Sequence, residues 1–122
     1  MKTAKILADI GHNILLLKIL NIPNIKNPDA DIDGVSFEFK HNHKPTKSAI
    51  DNELRKAFKQ ADNIVLHILS DISSNELCRA IVGRLKQTEN ANMLWIITKN
   101  NELIKISTEQ STKFDVLYQL LK

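Results

Sequence analysis

The stretch PDADIDGVSFEFK, Pro28 to Lys40, decides how this chain is read. Asp33-Gly34 between two strand-like runs is a strong hairpin signal, because the pair tolerates the positive φ that a two-residue turn requires. Counting outward from that turn pairs Ile32 with Val35, Asp31 with Ser36, Ala30 with Phe37 and Asp29 with Glu38. Side chains alternate along a strand. One face of the hairpin therefore carries Ala30, Ile32, Val35, Phe37 and Phe39, which is a core face. The other carries Asp29, Asp31, Ser36, Glu38 and Lys40. Directly opposite side chains on such a pair lie about 5 Å apart, so Asp29 and Glu38 repel unless something positive stands beside them. A hard divalent cation such as Mg²⁺ or Mn²⁺ takes carboxylate oxygens. Lys40, on the same face, is spaced to orient a water or steady a phosphate oxygen. The arrangement points to a phosphodiester-cleaving metal site with Asp29 and Glu38 as ligands. Acidic residues beside a turn also serve as a plain solvated face. Asp33 is explained by the turn, and Asp31 stays open between a further carboxylate and the solvent face.

Outward from the hairpin, the periodicity predicts a helix over residues 2–9 with Ala4, Ile6, Leu7 and Ile10 turned inward and Gly11 as its stop. Residues 13–17 form a short buried strand, followed by a loop rich in Asn and Pro. After the hairpin, the basic loop HNHKPTK leads to a helix over about 48–60, capped by Ser48, with Ile50, Leu54, Ala57, Phe58 and Ala61 inward. NIVLHIL is a strand. Ser73 with Glu76 three places on is a capping-box signature, opening a helix through Leu77, Ile81 and Leu85. MLWII is another strand, returned by the Asn100-Asn101 turn as an edge strand over 103–106. Residues 112–121 are weakly helical. The result is a mixed α/β fold, a central sheet flanked by helices, in one domain over residues 1–122.

Composition bounds the class. The chain is 43% hydrophobic and 25% charged, as soluble globular proteins are, and its net charge of +3 permits a polyanionic partner without requiring one. Within residues 40–59 six Lys or Arg face only Asp51 and Glu53, with His41 and His43 among them. Lys44, Lys47, Lys56 and Lys59 are the candidate phosphate-backbone contacts; an ordinary solvated helix face is the competing account. Cys78 is the lone cysteine, which excludes an internal disulfide and suits a buried thiol. No apolar run is long enough to span a bilayer, and Asp9, His12 and Asn13 break any signal-peptide pattern, so no membrane partner is expected and the site of action reads as cytoplasmic. His41 and His43 lack the company a structural zinc site needs. Phe37, Phe39, Phe58 and Trp95 all fall at core positions, which leaves little for base stacking.

PD followed by EFK resembles the signature of the PD-(D/E)XK nuclease superfamily, read as Pro28-Asp29 and Glu38-Phe39-Lys40, and the first six elements follow that superfamily's α-β-β-β-α-β core. NPDADIDG, EFK, KQADNIVL and LWII together resemble the C-terminal tRNase toxin domains of contact-dependent growth inhibition proteins. The resemblance implies an endonuclease in which Asp29 and Glu38 are metal ligands, Lys40 is the catalytic lysine and Gln60 is a supporting glutamine. A further carboxylate from the first helix falls only to Asp9. It also implies tRNA as substrate, a cognate immunity protein as partner, and delivery as part of a larger secreted protein. A second resemblance, to toxin RNases of the barnase/EndoU/colicin/RelE type, implies metal-free cleavage through the substrate's 2′-hydroxyl, with His41, His43, Lys40, Lys44 and Thr46 supplying base, acid and cation. A non-enzymatic module that binds nucleic acid or protein is the third expectation.

Overall fold

The structure, a computed structural model, describes residues 2–16, 30–107 and 112–121. Its elements run α1 (Lys2–Ile10), β1 (Ile14–Leu16), β2 (Ala30–Ile32), β3 (Val35–Asn42), α2 (Lys47–Ala57), β4 (Asn63–Ile68), α3 (Ser74–Leu85), β5 (Met93–Ile97), β6 (Leu103–Ile106) and α4 (Phe114–Leu121). The strands form one mixed sheet in the order β1-β2-β3-β4-β5-β6. β3, β4 and β5 run parallel, and the pairs at either side are antiparallel. Parallel neighbours need a crossover element, which α2 and α3 supply.

The hairpin folds in the expected register: Ile32 pairs with Val35, Asp31 with Ser36 and Ala30 with Phe37. The fourth expected pair involves Asp29, which lies outside the described residues, as does Pro28. The turn holds Asp33 at φ 52° and Gly34 at φ 89°, the left-handed region that Asp and Gly enter at least cost.

Alternation along β3 sorts its side chains between two cores. Phe37 and Phe39 join Leu7 of α1 with Ala30, Ile32, Val65, Trp95 and Ile97 on one face. Trp95 rests 4.6 Å from the Phe37 ring, with the Lys105 ammonium 4.4 Å above its own ring, an edge-strand cation–π contact. Ile64, Leu66 and Ile68, the β4 partners of Glu38, Lys40 and Asn42, lie on the other face. There they pack with Ile50 and Leu54 of α2, Cys78 and Ile81 of α3, and Leu117 of α4. Each fully buried Leu or Ile contributes roughly 1.5–3 kcal/mol, so the α2–α3–α4 layer is the heavier anchor. Among the described residues, α1 is the helix that packs on the smaller core.

Three expectations need correction. Ile10, in the last turn before Gly11, is 51% exposed, and the inward polar position is Thr3, fully buried. α2 is capped by Thr46, whose side chain accepts from the Ala49 N–H, and Ser48 falls inside the helix. α2 ends at Ala57, so Gln60 stands in the following turn, its N–H bonded to the Ala57 carbonyl. Ser73 caps α3 as expected, accepting from the Glu76 N–H, and Cys78 is buried and reduced.

Candidate functional site

Ser36, Glu38, Lys40 and Asn42 share the face of β3 that looks toward α2. Glu38 is only 7% exposed. Its Oε2 lies 3.7 Å from Lys40 Nζ, and the ammonium end of the pair reaches solvent. A buried carboxylate on a sheet face costs free energy unless it is compensated, and strand alternation puts the compensating cation two residues along. Asp31 is on the same face, where its Oδ1 accepts from the Ser36 hydroxyl at 2.9 Å.

At the other end of the strand, Asn42 is fully buried and ties three segments together. Its Nδ2 donates to the Lys44 carbonyl at 2.9 Å and to Glu53 Oε1 of α2 at 3.0 Å. Its Oδ1 accepts from the Ser70 hydroxyl, beyond β4. Glu53 is half-buried on α2, one position from Leu54 and three from Ile50, both fully buried. Burial pushes its carboxyl above the usual range; the Asn42 hydrogen bond and the charges of His43 and Lys40 pull the other way without cancelling it. Glu38, Lys40, Asn42 and Glu53 therefore form one polar strip between sheet and α2.

The opposite face holds a second polar group. The Thr3 hydroxyl lies 2.9 Å from both His41 Nε2 and His67 Nδ1, with the two imidazole centroids 5.7 Å apart. His67 is fully buried. One hydroxyl proton serves one imidazole, and the hydroxyl oxygen accepts from the other. His12, just beyond α1, contacts Asp33 Oδ2 at 2.6 Å, and its ring centroid lies 4.9 Å from that of Trp95 at a tilt of 41°. Asp33 also accepts from the Asn13 N–H at 2.8 Å. The His12 and Asn13 hydrogen bonds hold its carboxyl below the usual range. Asp33 thus does more than make a turn: it clips the end of α1 to the hairpin.

The expected site residues divide accordingly. Glu38 and Lys40 come together, and Asp29 is outside the described residues. His41 points to α1, away from Lys40. Asp9 is exposed on α1, which covers the face opposite Glu38. His43 is exposed in the loop before α2 and its charge reaches Glu53. Lys44, Lys47, Lys56 and Lys59 are all exposed on that loop, on α2 and just beyond it. Thr46 is occupied as the α2 cap. Among the described residues no group of three or more His, Cys, Asp or Glu is gathered as a metal would require. A polar groove of about 360 Å³ between α2 and α3, lined by Lys47, Ser48, Asn52 and Gln87, is floored by the bidentate Arg84–Asp51 pair at 2.9 and 3.1 Å. Among the described residues no helix is long and apolar enough to cross a membrane.

Asn42 and Ser70 were not foreseen from the sequence, and Glu53 only as one of two acids in the basic stretch. The alternation that selects Glu38 and Lys40 also selects Asn42, two residues on, and that signal was available.

The family model described as the contact-dependent growth inhibition CdiA C-terminal domain matches residues 26–116. Among solved structures, the chain is similar to a CdiA-CT/CdiI toxin and immunity complex from Burkholderia pseudomallei, with a TM-score of 0.62 and 23% identity over 87% of this chain and 80% of that one. That likeness establishes a shared fold. No curated protein matches the sequence.

Proposed function

Because the chain belongs to the contact-dependent growth inhibition CdiA C-terminal domain family, we propose that it is a toxin domain that hydrolyses nucleic-acid phosphodiester bonds, with tRNA the favoured substrate. The observation that carries this reading is the Glu38–Lys40 pair, a buried carboxylate with an ammonium 3.7 Å away on one sheet face. The exposed Lys44, Lys47, Lys56 and Lys59 on the adjoining loop and helix suit a phosphate backbone. The EFK sequence within an α-β-β-β-α-β run supports kinship with the PD-(D/E)XK nucleases.

A hard divalent cation is part of this reading. Carboxylate oxygens are the preferred ligands of Mg²⁺ and Mn²⁺, Glu38 presents one carboxylate beside Lys40, and Asp29 is the second ligand in this reading. Such an ion supplies charge neutralisation at the scissile phosphate. Lys40 contributes a fixed positive charge beside Glu38, suited to a phosphate oxygen whose negative charge grows during the reaction. The buried flank of the strip limits water around these charges, which strengthens their action.

By analogy with the Burkholderia toxin and immunity complex, a cognate immunity protein is the proposed partner, with delivery from a larger secreted protein and action in the target cytoplasm.

The test is cleavage of tRNA and duplex DNA by the purified protein across a Mg²⁺ and Mn²⁺ titration, repeated with Glu38→Ala and Lys40→Ala. Cation-dependent cleavage that both variants lose, with folding retained, is the expected result. Cleavage that survives in chelator overturns the metal dependence. Cleavage that survives both substitutions overturns the site.

A further inference from the structure

Glu53 has features that the Glu38–Lys40 pair alone does not account for. A carboxylate half-buried on a helix over an apolar core is normally replaced by an apolar residue unless something holds it. Here the holding device is elaborate. Ser70 donates its hydroxyl proton to Asn42 Oδ1, which fixes the amide with its NH₂ group toward the Lys44 carbonyl and Glu53 Oε1. The amide donates to Oε1 whether the carboxyl is charged or neutral, so Oε2 is the oxygen on which a proton can come and go while the side chain stays in place. Glu53 also lies on the same strip as the Glu38–Lys40 pair. Asn42 is two residues beyond Lys40, about 6–7 Å along the strand, and Glu53 reaches Asn42 from α2. The charged groups facing Glu53 are Lys40 from β3 and His43 from the loop before α2. Burial outweighs both, so its carboxyl is a stronger base than an ordinary surface glutamate.

We propose that Glu53 is the general base of this site, taking the proton of the water that attacks a nucleic-acid phosphodiester, with Asn42 as its positioning residue. The inference rests on the nuclease reading above. In the step, the water oxygen forms a bond to phosphorus as its O–H bond breaks, and the proton passes to Glu53 Oε2. The bond from phosphorus to the leaving oxygen breaks, and that oxygen is protonated from solvent. Glu53 then releases its proton to solvent, with exposed His43 nearby.

The experiment is the pH profile of kcat/KM on tRNA in Mg²⁺ for the wild type, Glu53→Gln, Glu53→Asp and Glu38→Gln, with melting temperatures alongside. Glu53→Gln keeps an oxygen for Asn42 and removes the base. It should lower kcat by about 10²- to 10⁴-fold, the usual share of a general base, with little change in KM, and abolish the fall of activity toward acid pH. Glu53→Asp should retain an acid limb, displaced in pH from that of the wild type, at a reduced rate. Glu53→Gln within threefold of the wild type, or with its acid limb intact, overturns the proposal. If Glu53→Gln does not fold, the Glu53→Asp profile decides: a displaced acid limb supports the role and a superimposable one refutes it. An inactive Glu38→Gln beside an active Glu53→Gln sinks this inference and spares the nuclease reading. A wild type inert toward RNA and DNA sinks both.

Discussion

Removing either member of the Glu38–Lys40 pair should cost more than removing both, and the difference is measurable without any substrate. At 3.7 Å the gross attraction at an effective dielectric of about 20 is about 4 kcal/mol. Desolvation takes back much of this. Pairs at the surface retain about 0.2–1 kcal/mol, and breaking a fully buried pair costs about 3–5 kcal/mol. This pair is between the limits, because the carboxylate side chain is 9% exposed and the lysine 29%. A coupling of about 1–2 kcal/mol follows. Urea unfolding at pH 7 of Glu38→Gln, Lys40→Met and the double variant gives it directly. Lys40→Met alone should lower the melting temperature by roughly 4–8 °C, and restoring neutrality with Glu38→Gln should recover part of that loss. High salt should shrink the coupling only partly, since one end is out of water. A coupling below about 0.3 kcal/mol at low salt would mean that Lys40 does not compensate Glu38, and the physical basis of the candidate site would fail.

Three further outcomes test other parts of the structure. Thr3→Val keeps the shape but removes the hydroxyl shared by His41 and His67. It should cost about 1–3 kcal/mol, with amides of α1 losing exchange protection first; an unchanged melting temperature would contradict the burial of this bridge. The Arg84 hydrogen bonds hold Asp51 below its usual 3.8, so the clasp contributes fully above that value and is lost as pH falls through the lower folded value. The stability gap between wild type and Asp51→Asn should be flat from about pH 5 to 8 and close below about pH 4. Because the Asp51 side chain is 35% exposed, the gap should be only about 0.5 kcal/mol. Burial pushes the Cys78 thiol up to about 11, and a thiol reagent at pH 8 should label it only at the rate of unfolding. Prompt labelling of the native protein would show that the α3 core is open.

What the sequence revealed was whatever is local. The Asp33-Gly34 turn fixes a register that runs unchanged through Ala30–Phe37, and the Ser73–Glu76 spacing marks the true start of α3. Ser48 was the expected cap of α2, and the structure places the cap two residues earlier, at Thr46. Inward periodicity offered Ile10, because apolarity is all that periodicity reads. The structure instead buries Thr3, whose partners His41 and His67 are 38 and 64 residues away. The same holds for Asn42 with Glu53 and Ser70, at separations of 11 and 28. Polar strips are assembled from distant positions, and no local pattern announces them.

The alternation of β3 also limits which residues can act together on one face of the sheet. A metal-free RNase needs its base, acid and cation around a single phosphate. Drawing them from Lys40 and His41 requires adjacent residues of one strand to share a face, which a pleated strand forbids. His41 is committed to Thr3 on the α1 side, Lys40 to Glu38 on the α2 side, and Thr46 to the cap of α2. Lys40 and His43 are the members of that set whose charges reach Glu53, which puts His43 on the Lys40 side. The residues able to act together therefore form an acidic strip with cations at its rim, where, under the proposed function, a phosphate would meet carboxylates and ammonium at once. Such a surface repels a bare phosphate unless positive charge is supplied beside the acids, and for that reason the loop and helix lysines and a divalent ion belong to the same functional reading.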